Sequence, residues 1–278
     1  MKRVLTLQDF SCFGKCSLTI AIPVISTMGV ECVAIPSTIL STHTGNLGEV
    51  TIIELEKYVD NIITHIQSLN LTFDVIYIGY LGSKELISIA KRLVTTFKTK
   101  DNIVLVDPVM GDNGSLYSRF DKEYVKEIES LIHMSDYAVP NLTEAAYLAD
   151  IEYVGETVTQ EYLDTLLSEL NSRYPACFIV TGVCTSKNEI GATVSRGDKY
   201  SGTYLINRSI AHYHGTGDMF ASVLAGALAN GNPLNQAIAI SLSFTALAID
   251  TTIATGTDER YGLQFESCLG DLSEWSKE

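Results

Sequence analysis

The sequence predicts a three-layer α/β/α fold with a mostly parallel central sheet and an antiparallel hairpin at one edge of that sheet. Strand-like and helical runs alternate along most of the chain, which is typical of parallel strands joined by crossover helices. The strand cores 75–78, 103–106 and 178–180 are continuously apolar, as expected for strands that helices cover on both faces. Later in the chain two strand-like runs follow each other directly, which indicates the hairpin.

Hydrophobic periodicity places the elements of the first half of the chain. Ile52, Leu55, Val59 and Ile62 recur at helical spacing, for example, and predict a helix over 52–69. The predicted strands are 4–10, 31–40, 75–80, 103–106 and 137–139, and the predicted helices are 18–28, 52–69, 85–97 and 122–133.

The second half of the chain continues this order and then departs from it. Asn232 is a suitable N-cap, and Pro233 suits the first position of the helix that follows it. We find no linker, low-complexity run or repeat, so we expect one domain over residues 1–278, with ligands bound beyond the carboxyl ends of the strands. The predicted elements are helices at 144–148 and 160–173, a strand at 178–181, strands at 190–195 and 200–206 joined by 196–199, and helices at 218–229 and 233–250.

Composition excludes several classes of partner. The formal net charge is −14, from 19 lysines and arginines against 33 aspartates and glutamates. A chain this acidic repels nucleic acid and anionic lipid, so we expect neither as a partner. The N-terminal segment begins as a strand and lacks the long apolar run of a signal peptide, and the apolar stretch 233–253 carries enough polar residues to be a buried helix. Six cysteines without zinc-site spacing suggest reduced thiols, and we expect a cytoplasmic protein.

The segment His214-Gly-Thr-Gly-Asp218 stands directly before an apolar helix. Gly215, Thr216 and Gly217 allow a tight turn whose N–H groups converge at a helix N-terminus, which makes an anion hole for a phosphoryl group in transit. Asp218 lies beside this hole and could accept the proton of an attacking hydroxyl, with a pKa that the helix N-terminus should lower. A glycine-rich turn followed by an aspartate that the helix dipole favours explains the pattern equally well.

Three further polar groups follow predicted strands. Asp107 and Asp112 could hold Mg²⁺, although Asp112-Asn-Gly also suits a plain turn. Asn141 and Glu144 could meet metal-bound phosphates, but capping of the next helix, with Thr143 as the cap, explains that pattern better. Thr181 and the glycine after it suit a nucleotide contact or a simple turn.

A last group lies near the N-terminus. Asp9 ends the first strand, Thr44 and Gly45 follow the second and Tyr80 follows the third, which offers polar and aromatic groups to a small ring. His43 is better explained as a hydrogen-bonded loop histidine than as a ligand. The segment 14–17 lacks the full phosphate-binding P-loop pattern, and no glycine-rich dinucleotide fingerprint follows the first strand.

The order of these motifs is more informative than any one of them. Asp107-Pro-Val-Met-Gly, then Pro140-Asn-Leu-Thr-Glu, then Val180-Thr-Gly, a hairpin, and Gly215-Thr-Gly-Asp opening a helix resemble the ribokinase-like superfamily. Over almost its whole length the chain is similar to its pyridoxal/pyridoxamine kinases. The resemblance implies phosphorylation of the 5′-hydroxymethyl group of a B6 vitamer by ATP with Mg²⁺, a monovalent cation as a further candidate cofactor, and a homodimer.

The resemblance also implies a role for each matching residue. Asp218 matches the catalytic base. Gly215, Thr216 and Gly217 match the anion hole; Asp107, Asn141, Glu144 and Thr181 match the ATP end, where Asp107 and Glu144 meet the metal, Glu144 through water; and Asp9, Thr44, Gly45, Tyr80 and Asp218 match the B6 site.

Two departures keep the substrate open. Asp9 stands where close relatives usually carry Ser, and Ser41-Thr-His-Thr44 replaces the usual Ser-Asn-His-Thr, so the preferred vitamer is not fixed. Hydroxymethylpyrimidine kinases share the fold but usually have Cys at the position of Asp218, which favours the pyridoxal-kinase side. A kinase for another hydroxymethyl heterocycle and a catalytically silent B6-binding protein remain the alternatives.

Overall fold

The computed structural model of the protein describes residues 1–195, 202–207 and 213–276. Its strands belong to one long sheet and to one short hairpin. The strands are β1 (Arg3–Ser11), β2 (Glu31–Leu40), β3 (Ile52–Glu54), β4 (Val75–Ile78), β5 (Ile103–Val106), β6 (Gly111–Asp112), β7 (Ser115–Leu116), β8 (Tyr137–Ala138), β9 (Cys177–Ser186), β10 (Glu189–Val194) and β11 (Gly202–Asn207).

The helices of the described residues connect these strands or follow them. Ser83, Asp121 and Thr159 each cap the helix that follows with a side-chain oxygen, which explains why those helices begin where they do. The helices are α1 (Leu18–Thr27), α2 (Glu56–Ser68), α3 (Lys84–Phe97), α4 (Lys122–Ile132), α5 (Leu142–Ala149), α6 (Gln160–Arg173), α7 (Thr216–Asn230), α8 (Leu234–Thr255) and α9 (Leu269–Trp275).

The long sheet has the strand order β11-β10-β9-β8-β5-β4-β1-β2-β3. The strands from β2 through β1, β4, β5 and β8 to β9 pair in parallel. β10 is antiparallel to both β9 and β11 at one edge, and β3 is antiparallel to β2 at the other. Because the parallel strands run in one direction, their carboxyl ends meet at one edge of the sheet, which is where this class of fold binds ligands.

Each face of the sheet has its own hydrophobic core, because alternate strand residues point to opposite faces. Ile76 and Ile78 of β4 pack into the core under α2, α3, α4, α5 and α6. Val75 and Tyr77 of the same strand pack into the core under α1, α7 and α8. The three-layer α/β/α fold with a mostly parallel sheet and an antiparallel edge is therefore confirmed.

The predicted helix over 52–69 is wrong at its start. Ile52, Ile53 and Glu54 form β3, which pairs with Leu40, Ile39 and Thr38 of β2, and α2 begins at Glu56. Ile53 is 53% exposed, so its apolar side chain belongs to an edge strand and not to the buried face of a helix. The helical spacing of apolar residues holds from Leu55 onward. The residues before Leu55 match the same spacing although they form a strand, so the predicted helix begins too early.

In the C-terminal third of the chain, the strands and helices follow each other in the predicted order, but several of them begin at other residues than predicted. β10 and β11 are antiparallel, as predicted, whereas the connection at 196–199 and the first predicted residue of the last strand, Tyr200, lie outside the described residues. The helix predicted from residue 218 begins at Thr216, and the helix predicted from Pro233 begins at Leu234 with Pro233 as its N-cap residue.

Within the described ranges, α8 is the one helix long and apolar enough to cross a membrane by length and composition. Phe244 and Ala248 of this helix lie in the core shared with α1 and α7. The hydroxyls of Ser241 and Thr252 donate hydrogen bonds to carbonyl oxygens one turn earlier, at 2.7 and 2.6 Å. α8 thus has the buried face that its polar residues led us to expect.

Candidate active site

A cavity of about 530 Å³ opens at the carboxyl ends of the parallel strands. Segments that follow β5 and β8 meet residues of β9 and the N-terminus of α7 around it, because β9 continues to Ser186, beyond the predicted strand end at Thr181. Several predicted site residues line this cavity, namely Asp107, Asn141, Glu144, Thr181, Gly215, Thr216, Gly217 and Asp218. The topology therefore brings together residues that are far apart in the sequence, at the edge where we expected a ligand.

The anion-hole segment depends on Gly215. Its φ is +87°, a left-handed conformation that favours glycine, and a Cβ at this position would lie 2.5 Å from the carbonyl oxygen of Lys15. From this turn α7 begins at Thr216, and the Gly215 carbonyl accepts the N–H of Met219 at 2.8 Å. The first N–H groups of α7 have no partner within the helix, so those of Thr216 and Gly217 are available to an anion in the cavity.

Asp218 lies in the first turn of α7 and lines the same cavity. Burial raises the pKa of this carboxyl above its usual value, while hydrogen bonding from the backbone N–H and the hydroxyl of Ser17 lowers it by less. We expected a lowered pKa from the helix N-terminus, and this expectation is wrong because loss of water has the larger effect. A carboxylate with a raised pKa is a better proton acceptor than an exposed aspartate.

Asp107 and Glu144 form a buried acidic pair at the other side of the cavity, exposed by only 6% and 3%. Burial and the charges of Glu144 and Asp218 raise the pKa of Asp107, and burial raises the pKa of Glu144. The Glu144 carboxylate accepts the N–H groups of Met110 and Asn141 at 3.0 and 2.8 Å. Its oxygens are therefore already engaged, which suits contact with a metal through water better than direct coordination.

These carboxylates fit Mg²⁺ as part of a shared site and not as a complete cage. The described residues contain no group of three or more His, Cys, Asp or Glu side chains placed to hold a metal. Mg²⁺ is typically held by one or two carboxylates together with waters and substrate phosphates, and Asp107 with Glu144 supplies that share. The part of the cavity lining that the structure describes contains no lysine or arginine.

Asn141 and Glu144 also have a structural task. Asn141 caps α5 by accepting the N–H of Glu144 at 2.9 Å, and Glu144 reaches back to the N–H of Asn141. The capping interpretation is therefore confirmed, but the cap is Asn141, whereas Thr143 accepts the N–H of Gly114 at 2.9 Å. The capping box holds the Glu144 carboxylate at the cavity, so one device serves the helix and the site.

The Asp112-Asn113-Gly114 segment forms the turn that we gave as an alternative. Asn113 and Gly114, with φ of +51° and +78°, connect β6 to β7 as a two-residue hairpin loop. Asp112 and Asn113 nevertheless line the cavity, so the turn lies at the site.

The N-terminal group (Asp9, Thr44, Gly45 and Tyr80) lies outside the described lining of this cavity. Asp9 is 4% exposed and accepts the hydroxyl of Ser11 at 3.0 Å. Burial raises the pKa of Asp9 to about 6, Ser17 lowers it, and the charge of Asp218 contributes to the rise, which places the two carboxylates near each other. Burial also raises the pKa of Tyr80, with a contribution from the charge of Asp9.

The loop after β2 approaches the site where its residue His43 packs against His214, which precedes α7. His43 accepts the N–H of Gly45 at 2.9 Å and contacts the carbonyl oxygen of Arg260 at 2.6 Å, in agreement with its expected role as a hydrogen-bonded loop residue. Its ring lies 4.6 Å from that of His214, which lines the cavity. A Cβ on Gly45 would lie 2.3 Å from Nε2 of His214, so a larger residue there would displace that ring, and the neighbouring Thr44 is exposed.

The main functional residue that sequence reasoning missed is Ser17. It lowers the pKa of both Asp9 and Asp218 through hydrogen bonding, and it does so with a positive φ of +50°. No local pattern marks Ser17, because its two partners belong to β1 and to α7 and become its neighbours only through the fold. The positive φ is the one backbone feature that singles it out.

Known proteins resemble the chain over nearly its full length. A protein-family model described as phosphomethylpyrimidine kinase matches residues 21–262. The crystal structure of pyridoxal kinase from Lactobacillus plantarum is 31% identical, with a TM-score of 0.90 over 100% of this chain and 98% of that one. A Bacteroides thetaiotaomicron protein assigned to the phosphomethylpyrimidine kinases and crystallised with pyridoxal is 34% identical, with a TM-score of 0.89 over 98% and 95% of the two chains.

The same relationship extends to eukaryotic sequences. Pyridoxal kinase of Dictyostelium discoideum is 25% identical over 248 residues, which cover 81% of this chain and 77% of the relative. The fold, the motif order and these matches agree with one another. The chain therefore belongs to the pyridoxal kinase family, a group of ATP-dependent kinases within the ribokinase-like superfamily.

Proposed function

We propose that the protein transfers the γ-phosphate of ATP to the 5′-hydroxymethyl group of a B6 vitamer, with Asp218 as the general base. ATP-dependent phosphorylation of B6 vitamers is the activity of the family to which the chain belongs. The observation that supports the residue assignment is the position of Asp218 in the first turn of α7. There a carboxylate with a raised pKa lies next to the N–H groups of Thr216 and Gly217 and lines the same cavity as Asp107.

The reaction exchanges one bond at the γ-phosphorus for another. The hydroxymethyl oxygen forms a bond to phosphorus, the bond from phosphorus to the bridging oxygen breaks, and ADP leaves with the electron pair of that bond. Asp218 takes the proton of the hydroxymethyl group, while the N–H groups of Gly215, Thr216 and Gly217 stabilise the charge on the moving phosphoryl group. Asp107 and Glu144 would hold Mg²⁺, which would supply positive charge beside the phosphate oxygens.

The two substrates occupy opposite sides of Asp218 in this proposal. The nucleotide extends along the cavity past Asn141 and Thr181, towards apolar side chains such as Leu242 and Ile249 that suit a purine base. The acceptor ring lies on the other side, where Asp9, Thr44, Gly45 and Tyr80 offer polar groups and an aromatic face. Positioning and electrostatics then provide most of the rate enhancement.

Replacing Asp218 by asparagine tests the assignment of the base. Asp218→Asn should fold normally and bind ADP, because the amide keeps the shape of the carboxyl group, but its kcat should fall by about 100-fold or more. Steady-state ADP release with a B6 vitamer measures kcat, and calorimetry with ADP and Mg²⁺ measures nucleotide binding. Asp101→Asn, an exposed change of the same chemistry, is the matched control. Wild-type kcat in Asp218→Asn would rule out Asp218 as the base.

A substrate panel separates the proposal from its alternatives. One matching relative is assigned to the phosphomethylpyrimidine kinases, which makes hydroxymethylpyrimidine the specific competing acceptor. We expect ADP release with pyridoxal, pyridoxamine or pyridoxine to exceed that with hydroxymethylpyrimidine. Tight vitamer binding without ADP release would instead indicate a silent B6-binding protein, which the retained Asp218 and Gly215-Thr-Gly segment argue against.

The proposal also includes the setting in which the enzyme works. We propose a cytoplasmic homodimer whose activity responds to a monovalent cation such as K⁺. The exposed side chains of Ile53 in β3 and Tyr58 in α2 offer apolar surface to a second copy. Sedimentation at several concentrations and activity in K⁺ against Na⁺ buffers measure these two properties.

A further inference from the structure

Asp9 is a buried carboxylate for which the structure provides hydroxyl donors but no cation. It is 4% exposed, and its neighbours include the hydroxyls of Ser11 and Ser17. In the described part of the chain, no lysine or arginine lies within ion-pair distance of Asp9. Buried charges without a charged partner are costly, and proteins usually keep them where a ligand or metal completes the pairing.

A second carboxylate increases this cost. Asp9 and Asp218 both interact with Ser17, and the charge of Asp218 acts on Asp9. Cys16 lies close enough to both that their charges add to the effect of burial and raise the pKa of its thiol. Two carboxylates, the buried Asp9 and the partly buried Asp218, therefore lie close together beside a thiol that stays neutral. A cation bound there would be attracted by two carboxylates at once.

The position of Asp9 favours the acceptor, and not the nucleotide, as the source of that cation. Asp9 lies near the end of β1, close to Tyr80 and Asp218, and is not itself part of the described lining of the cavity that contains Asp107 and Glu144. Arg119, the cation that acts on Tyr80, already pairs with Glu54 at 3.7 Å. If Asp218 faces the hydroxymethyl oxygen, as proposed above, Asp9 faces another part of the same small molecule.

We propose that Asp9 is a specificity residue that selects an acceptor with a protonated nitrogen, by forming a charge-assisted hydrogen bond to that nitrogen. This inference rests on the proposed function. B6 vitamers carry two basic nitrogens that fit, the ring nitrogen of every vitamer and the aminomethyl nitrogen of pyridoxamine. Both would present an N–H donor with a positive charge to the Asp9 carboxylate, and such bonds are stronger than those between neutral groups.

The test measures acceptor binding and turnover in Asp9→Asn and Asp9→Glu. Asparagine removes the charge at nearly constant shape, whereas glutamate keeps it. The acceptors are pyridoxamine, pyridoxine and a benzyl alcohol analogue of pyridoxine in which carbon replaces the ring nitrogen. Calorimetry in the presence of a non-hydrolysable ATP analogue and Mg²⁺ gives Kd, and ADP release gives KM and kcat separately. Asp101→Asn is again the remote control, and thermal unfolding verifies that each variant folds.

The two sources of the protonated nitrogen give different patterns, and both support the proposal. If the aminomethyl group is the partner, Asp9→Asn should raise Kd and KM for pyridoxamine by about tenfold or more and change those for pyridoxine by less than about threefold. If the ring nitrogen is the partner, both pyridines should lose about tenfold while the carbocyclic analogue loses little. In either pattern kcat should change less than KM, and Asp9→Glu should recover part of the affinity.

Other results would overturn it. An equal loss for all three acceptors, including the carbocyclic analogue, would give Asp9 a purely structural role in holding the segment after β1. Unchanged binding of both vitamers by Asp9→Asn would show that its charge does not select the acceptor. Failure of the proposed function is distinguishable from either, because it would appear as wild-type protein that releases no ADP with any B6 vitamer.

Discussion

At the scale of single residues, the chemistry of the site depends on buried and partly buried carboxylates whose pKa values rise because they lose contact with water. Asp218 at the start of α7 was expected to have a lowered pKa, because a helix N-terminus favours negative charge. Burial instead raises the pKa, and the hydrogen bonds from Ser17 offset only part of the rise. Asp9 follows the same rule, with burial as the largest cause of its raised pKa. Sequence patterns locate such groups but do not report how much water the fold removes from them.

The raised pKa of Asp9 leads us to predict how the free energy of unfolding depends on pH. Its pKa rises from 3.8 to about 6 on folding, so the folded protein favours the protonated form. The stabilisation is fully present below pH 3.8 and is lost as the pH rises through about 6. Asp9→Asn removes this loss, so relative to wild type it should become more stable between pH 4 and 7, by up to about 3 kcal/mol.

Urea unfolding of both proteins at several pH values measures that difference. Asp101→Asn should show no comparable trend. A difference in the free energy of unfolding that stays constant between pH 4 and 7 would contradict the prediction. The expected trend would mean that the protein retains a destabilising charge, as binding residues often do.

At the scale of elements, the caps and strand ends fix where the functional groups lie. The order of strands and helices, the parallel core of the sheet and the convergence of Asp107, Asn141, Thr181 and the α7 turn were all predictable, because periodicity and connectivity determine them. The short edge strand β3 was not, since three residues that pair with β2 carry too little pattern to separate them from the helix that follows. Both limits of α7 and the start of α8 differed by one or two residues, as helix ends usually do, whereas α8 continues to Thr255, beyond its predicted end at residue 250.

The capping box of α5 gives a prediction at this scale. Asn141→Ala removes the side-chain oxygen that accepts the N–H of Glu144, and should lower the free energy of unfolding by about 1 kcal/mol. It also loses the hydrogen bond from the Asn141 amide to the Gly111 carbonyl at 2.8 Å, which should loosen the backbone at the start of α5, where the N–H of residue 141 holds the Glu144 carboxylate. We therefore expect weaker ADP binding in the presence of Mg²⁺.

Asn141→Ser is the matched control, because serine is also a good N-cap. Thermal unfolding and calorimetry with ADP and Mg²⁺ provide the two measurements. If both variants unfolded at the wild-type temperature, the capping box would be unimportant for stability. If Asn141→Ala bound ADP as wild type does, the coupling between the cap and the site would be absent.

At the scale of the whole molecule, the negative charge of the protein opposes the binding of a nucleotide triphosphate. The chain carries a net charge of −14, and Asp107, Asp112, Glu144 and Asp218 line the same cavity. A triphosphate that approaches this cavity is repelled both by the net charge of the chain and by the carboxylates of the lining. The few N–H groups at the start of α7 do not offset that repulsion by themselves. The sequence revealed the net charge, but only the fold shows that the carboxylates from three separate segments converge.

This arrangement predicts that nucleotide binding depends steeply on Mg²⁺. Calorimetry should show ADP or ATP binding at least about tenfold weaker when a chelator replaces Mg²⁺, because the buried acidic pair then repels the phosphates. Asp107→Asn should bind nucleotide less Mg²⁺-dependently than wild type, since it removes one of the repelling charges. Asp101→Asn should behave as wild type. Equal affinity with and without Mg²⁺ in the wild-type protein would contradict this reasoning.

Ser17 interacts with both Asp9 and Asp218, and this has a consequence for how the protein folds during its synthesis. One side of the catalytic centre is made early during synthesis and the other almost last, since β1 and α7 stand near opposite ends of the chain. A ribosome-bound intermediate that contains β1 to β9 but not α7 leaves Val75, Tyr77 and Leu105 without the helix that covers them. Such an intermediate would be prone to aggregation and would lack activity. We therefore expect catalytic activity and solubility to be gained in the same step, when the last helices pack onto the sheet.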